Sequence, residues 1–180
     1  MFKPPFAVAA VIAMTTAGAL AAQIAPPKLG RPATPEEIAK VDISIPPDGK
    51  GLPPGSGSVA QGAQVFAAKC SVCHGANAEG TPSGDRLVGG VGTLASANPV
   101  KTVSSYWPYA TTLFDYIRRA MPLTNPQSLQ NDEAYAVVAY ILSIDNIVPK
   151  DAVLDAQSLP KVQMPNRSGF INWEPRLIKP

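Results

Sequence analysis

The sequence is short of charge, of histidine and of cysteine, and each shortage excludes a class of function. Asp, Glu, Lys and Arg make up only 16% of the 180 residues, and the formal net charge is +2. A nucleic-acid binder concentrates cations to neutralise phosphates, so no nucleic-acid partner is expected. One histidine and two cysteines fall short of the four protein ligands that a structural zinc site needs. Alternating apolar and polar runs of the strand type are missing, as are internal repeats and low-complexity tracts. Apolar residues, by contrast, reach 46%, enough for a packed core, and the 20 prolines gather towards the two ends of the chain.

Residues 1–21 read as an export signal. Lys3 is their single cation, the run from Phe6 to Ala22 is uncharged and apolar, and Ala19 and Ala21 make a small-x-small site with cleavage after Ala21 or Ala22. The run is a little short of the ~20 residues of a span and lacks flanking charge on its far side, so no stable membrane span is expected after cleavage. The expected location is the periplasm. In such an oxidising compartment a close cysteine pair needs protection or a covalent partner.

The mature chain divides into three regions. Residues 22–57 form a proline-rich N-terminal arm, in which Thr34, Pro35 and Glu37 stand at the N-cap, N1 and N3 positions of a short helix. Ile38 and Val41 offer that helix an apolar contact. Residues 58–145 read as a compact helical domain. Val59, Ala63, Phe66 and Cys70 recur at helical spacing, Leu113, Phe114, Ile117 and Ala120 mark a second helix ended by Pro122, and residues 132–144 form a third that is apolar almost all round. Gly62 and Phe66 are placed to meet that last helix near Tyr140. Residues 146–180 form a C-terminal arm whose prolines forbid a long helix while Val153, Leu154, Leu159, Phe170 and Trp173 keep it apolar, as in a strap lying on the domain or on a partner. The fold class is all-α, with long loops.

Cys70-Ser71-Val72-Cys73-His74 is the C-x-x-C-H pattern of c-type haem attachment. Thiols three positions apart share one side of a helical turn and can form thioethers with the two vinyl groups of one porphyrin, leaving the next residue, His74, to offer its imidazole to the iron. A thioredoxin-like pair would follow a strand at a helix N-terminus, whereas this pair ends a helical pattern. One covalently attached haem c is therefore the expected cofactor.

His74 is the only histidine, so two-histidine ligation is impossible within the chain. Met121 and Met164 are the thioethers left after signal cleavage. Met121 follows a helix and precedes a proline that fixes the backbone; Met164 also precedes a proline but lies in the tail. Met121 is the expected second axial ligand, the alternatives being core filling by either methionine or an open sixth position. Tyr106, Trp107 and Tyr109 lie between the motif and Met121, as haem-pocket residues or as core. Arg118 and Arg119 could pair with a haem propionate or a partner's acidic patch, or simply face solvent. No acid–base pair or nucleophilic constellation competes as a catalytic site.

Taken together, Gly62-x-x-x-Phe66, the Cys70–His74 motif, Met121-Pro122 and a last helix bearing Tyr140 resemble a class I cytochrome c, implying three main helices around one haem. Gly30 to Ile38 (GRPATPEEI), the 49–57 run, Ser105 to Thr112 (SYWPYATT) and Met164 to Arg167 (MPNR) are similar, further, to the SoxD-like cytochrome subunit of sulfane/sulfite dehydrogenases, over about residues 30–170. That resemblance implies Cys70 and Cys73 as attachment points and His74 and Met121 as axial ligands. It also implies a molybdopterin-containing dehydrogenase subunit as electron donor, a downstream cytochrome c or oxidase as acceptor, and arms that belong to the module. Some relatives carry two haems; this chain has one attachment motif. A free shuttle cytochrome and a haem enzyme with an open coordination site are the rival readings.

Overall fold

The computed structural model describes residues 29–171; the expected signal segment and Trp173 lie outside them. The chain divides into a unit ending at Thr34, whose described residues 29–34 form no helix or strand, and a main unit from Pro35 onward. The main unit contains α1 (Pro35–Val41), β1 (Ser56–Ser58), α2 (Val59–Lys69), the single turn α3 (Ser71–His74), α4 (Val103–Tyr106), α5 (Ala110–Ala120), α6 (Asn131–Ile144), β2 (Val153–Asp155) and a closing 3-10 turn, Leu159–Lys161. No helix among the described residues is long and apolar enough to cross a membrane.

The helix ends follow local chemistry. At the start of α2 the Gln61 N–H donates to Ser58 Oγ at 3.2 Å, while Gln61 Oε1 accepts from the Ser58 N–H at 2.9 Å, a reciprocal cap that satisfies two orphan donors. The helix runs to Cys70, whose N–H still bonds to Phe66 O at 2.9 Å. Gly75, at φ 81°, then stops the α3 turn. On α6 the Glu133 carboxylate accepts from the Gln130 N–H at 3.0 Å, so Gln130 occupies the cap position. Short α4 was not expected. Its cap is a Thr102–Ser105 exchange, with Ser105 N to Thr102 Oγ1 at 3.1 Å, and it lacks the apolar period by which longer helices announce themselves.

Helices α2 and α6 cross closely at Gly62. A Cβ there would strike the Ala136 carbonyl and come within 2.7 Å of Tyr140 Cβ, so only glycine lets the two backbones approach. One turn later the Phe66 ring packs on Tyr140, with centroids 5.2 Å apart. Helix α6 is the central element: from Ala134 to Ser143 only Tyr140 is not buried. Its Tyr135 ring stacks on Phe114 of α5 at 4.4 Å. Its hydroxyl leaves the core to donate to Pro53 O at 2.9 Å.

Two expectations need correction. Helix α1 starts at Pro35, as its cap residues predict, but buries no residue, and Ile38 and Val41 are exposed. The structure also contains a two-stranded antiparallel ribbon, with Gly57 of β1 opposite Leu154 of β2. Strands of three residues are too short to display an alternating period. The ribbon ties the two arms to each other and to the first turn of α2, where Val59 N–H donates to Ala152 O at 3.0 Å. Beyond it, Leu159 and Met164 are buried in the core, so up to that point the C-terminal strap lies on its own domain.

Candidate functional site

The end of α2, the α3 turn, residues 83–87 and 101–103, one face of α5 and the inner side of α6 enclose a cleft of about 460 Å³. Cys70, Cys73, His74 and Met121 all line it. They come from two places 47 residues apart in the chain, and the packing of both α2 and α5 on α6 brings them to one space.

Neither cysteine is in a disulfide. Burial pushes the Cys70 thiol up to about 11, only partly offset by the nearby charge of Lys69. A thiol held protonated is a poor nucleophile and a poor metal ligand, the reverse of the low-pKa cysteine in a redox C-x-x-C pair. Lys69 itself is engaged by Glu133, with Nζ to Oε1 at 2.6 Å. That hydrogen bond, with the Gln130 N–H, holds the Glu133 carboxyl below its usual range.

His74 is held in a defined orientation. Its Nδ1 lies 2.7 Å from Asp85 O. A carbonyl can only accept, so Nδ1 carries a proton and Nε2 is left as the nitrogen able to ligate a metal. The glycine-rich loop after the motif is laced back onto it. Gly80 N–H donates to His74 O at 2.7 Å, Thr81 Oγ1 donates to Cys73 O at 2.5 Å, and a Cβ at Gly84 would come within 2.8 Å of Cys73 O. Gly84 thus serves the loop's close approach to the motif.

Met121 caps the C-terminal end of α5, its N–H bonded to Ile117 O at 3.0 Å. Met164, the rival thioether, is 3% exposed within the core and does not line the cleft. Trp107 lines the cleft and meets the Tyr116 ring edge-on at 5.8 Å. Tyr106 does not: it turns towards the C-terminal strap, its ring against Phe170 at 5.2 Å and its carbonyl accepting from Asn166 Nδ2 at 2.7 Å. The expectation that grouped Tyr106 with Trp107 is corrected accordingly, because successive residues leaving α4 point to opposite sides. Arg118 and Arg119 also face away from the cleft, bonded to Ile43 O at 3.3 Å and to Asp115 Oδ2 at 2.6 Å. The cations on the cleft wall are instead Lys69, Arg86 and Lys101. Arg86 and Lys101 sit in irregular loops, where no periodicity signals a side chain's direction.

The remaining walls are mostly apolar, with Phe66, Leu87, Val103, Leu113 and Ile141 among them. The cleft therefore suits a large, flat, largely apolar group attached through sulfur and approached by one imidazole and one thioether. Among the described residues no cluster of three or more His, Cys, Asp or Glu side chains offers a different metal centre.

Comparison with known proteins agrees with this chemistry. The family model described as cytochrome c matches residues 59–145. A chain of the sulfane dehydrogenase SoxCD from Paracoccus pantotrophus is 44% identical, with a TM-score of 0.77, over 85% of this chain and 76% of that one. A thiosulfate dehydrogenase (TsdBA) chain from Marichromatium purpuratum is 27% identical over 47% of this chain and 17% of that one, at a TM-score of 0.34. Cytochrome cL from Methylophaga aminisulfidivorans is 23% identical over 66% of this chain and 70% of that one, at 0.32. No curated protein sequence matches. Cys70 and Cys73 fit the attachment motif and the cleft fits the prosthetic group, so the chain belongs to the cytochrome c family, has the class I fold and carries a covalently bound c-type haem.

Proposed function

We propose that this chain is a periplasmic single-haem cytochrome that moves one electron at a time, as the electron-accepting subunit of a molybdenum-dependent sulfane or sulfite dehydrogenase. In this reading Cys70 and Cys73 supply the thioethers, and His74 Nε2 and the Met121 sulfur are the axial ligands. When bound, the haem supplies a ferric/ferrous couple, and a His/Met pair favours a raised potential. Everything else is done by the polypeptide. The Asp85 carbonyl fixes the imidazole, the Leu113 and Ile141 walls exclude water, and Arg86 and Lys101 bring positive charge to the wall where acidic substituents would be neutralised. A ligand set unchanged between oxidation states keeps reorganisation small, which suits electron transfer over bond-making chemistry.

The observation that carries the dehydrogenase assignment is the reach of the similarity. The 44% identity to a chain of SoxCD extends over 85% of the sequence, well past residues 59–145 and into both flanking segments. The test is to purify the chain from its native host and add sulfite or a sulfane-sulfur donor. Copurification with a molybdopterin protein and substrate-dependent reduction of the haem are expected. A strictly solitary chain that no such partner reduces would overturn the assignment. Electrons are then expected to leave for a downstream cytochrome c or oxidase.

One observation favours the free-shuttle alternative: the arms hold their own core, from Ile43 O against Arg118 to Asn166 against Tyr106. Copurification distinguishes the two readings. A chain clasped by its own arms can still present the cleft to a fixed partner.

A further inference from the structure

Residues 43–47 of the N-terminal arm lie along α5 and are held there by three of its side chains. Arg118 Nη1 donates to Ile43 O at 3.3 Å, the Ile45 N–H donates to Asp115 Oδ1 at 2.8 Å, and Thr111 Oγ1 donates to Pro47 O at 3.1 Å. Thr111, Asp115 and Arg118 follow helical spacing and form one face. The opposite face, with Leu113, Ile117 and then Met121, lines the cleft. Asp115 is the hub: it is buried, and its carboxylate also receives Arg119 Nε at 3.0 Å and Nη2 at 2.6 Å.

The chain after Met121 gives little support of its own. Residues 123–127 are exposed, and among the described residues the stretch 122–128 makes a single hydrogen bond, Asn125 N–H to Pro122 O at 2.9 Å, within the loop itself. The position of Met121 is therefore set from the α5 side. We propose that the clasp of the N-terminal arm on α5, centred on Asp115 and completed by Thr111 and Arg118, is a positioning device for Met121, keeping its sulfur in the cleft. The proposal rests on Met121 being the axial ligand. Loosening the clasp lets α5 shift and raises the fraction of molecules whose iron is open to an outside ligand. In the folded protein, Asp115, Thr111 and Arg118 would then govern ligand exchange at a metal that none of them touches.

The test uses the full-length haem protein and imidazole as the probe ligand, with Asp115→Asn and Thr111→Val compared against Leu154→Ala, a core truncation in β2, which packs on β1 and α6. Ferric Asp115→Asn is expected to bind imidazole about tenfold more tightly, as a tenfold rise in the open fraction requires. Thr111→Val should shift affinity the same way by a smaller factor. Leu154→Ala should lower the melting temperature and leave imidazole affinity unchanged. If Asp115→Asn does not yield folded haem protein, Thr111→Val and Arg118→Gln carry the test. Unchanged imidazole affinity in the clasp variants that fold, whatever their stability, overturns the proposal. An unsubstituted protein that lacks the near-infrared sulfur-to-iron band and binds imidazole as tightly as Met121→Ala instead overturns the ligand reading, and the clasp's role falls with it.

Discussion

At the scale of single residues, Met121 is the thioether that reaches the cleft while Met164 is locked in the core. Met121→Ala is expected to abolish the near-infrared sulfur-to-iron band and to let the reduced protein bind carbon monoxide rapidly; an unchanged spectrum would count against the assignment. Gly62 is as exacting for stability. Gly62→Ala drives a methyl into the Ala136 carbonyl and is expected to cost about 1–3 kcal/mol in urea unfolding, the usual range for overpacking. The motif residues were legible because covalent attachment and ligation demand particular atoms at fixed spacing. Arg86 and Lys101 were not, because a side chain in a loop has no period from which its direction can be read, and Tyr106 was misplaced because α4 is a single turn, too short to show one.

At the scale of elements, α2 and α6 meet at Gly62, at the Phe66–Tyr140 ring contact and through the ion pair of Lys69 with Glu133. The Glu133 carboxyl is depressed by Lys69 and then by the Gln130 N–H. Its stabilising contribution is therefore present above the ordinary carboxylate pKa and is lost as pH falls through the depressed one. The pair is partly exposed and screened, so Glu133→Gln should cost only about 0.5 kcal/mol at neutral pH. Denaturant melts at neutral and strongly acidic pH should show that deficit shrinking towards zero in acid, and a constant deficit would point to the cap geometry instead. Helices α2, α5 and α6 announce themselves because each runs for 11 residues or more, long enough for an apolar stripe to repeat. The β1–β2 ribbon and α4 do not: β2 shows its one buried residue, Leu154, only against Gly57 across the ribbon.

At the scale of the whole molecule, both arms converge on α5 and α6. The N-terminal arm is held through the buried Ile45 side chain and through its backbone: Pro47, Pro53 and Pro54 have no N–H to satisfy, and their carbonyls accept from Thr111, Tyr135 and Asn131. The C-terminal arm is held by buried side chains. Leu159, fully buried in the closing turn, makes that concrete: Leu159→Ala is expected to cost about 2–5 kcal/mol in the unfolding of the haem protein. A loss well below 1 kcal/mol would mean that the strap rides on the domain without stabilising it. The sequence predicts that these arms are extended and apolar; whether they lie on the domain or on a partner depends on hydrogen bonds between residues 60 to 82 positions apart, which local patterning does not register.

The bond from His74 Nδ1 ends on a peptide oxygen and not on a carboxylate. The basicity of the imidazole is thereby written into the path of the chain and not into the identity of position 85. Asp85→Glu, which keeps the charge, should leave the midpoint potential almost where it was, whereas deleting one residue between Gly75 and Asp85 should move it substantially. Evolution or a designer could respell the exposed positions of that stretch, provided Thr81, the glycines, its length and its turns are kept.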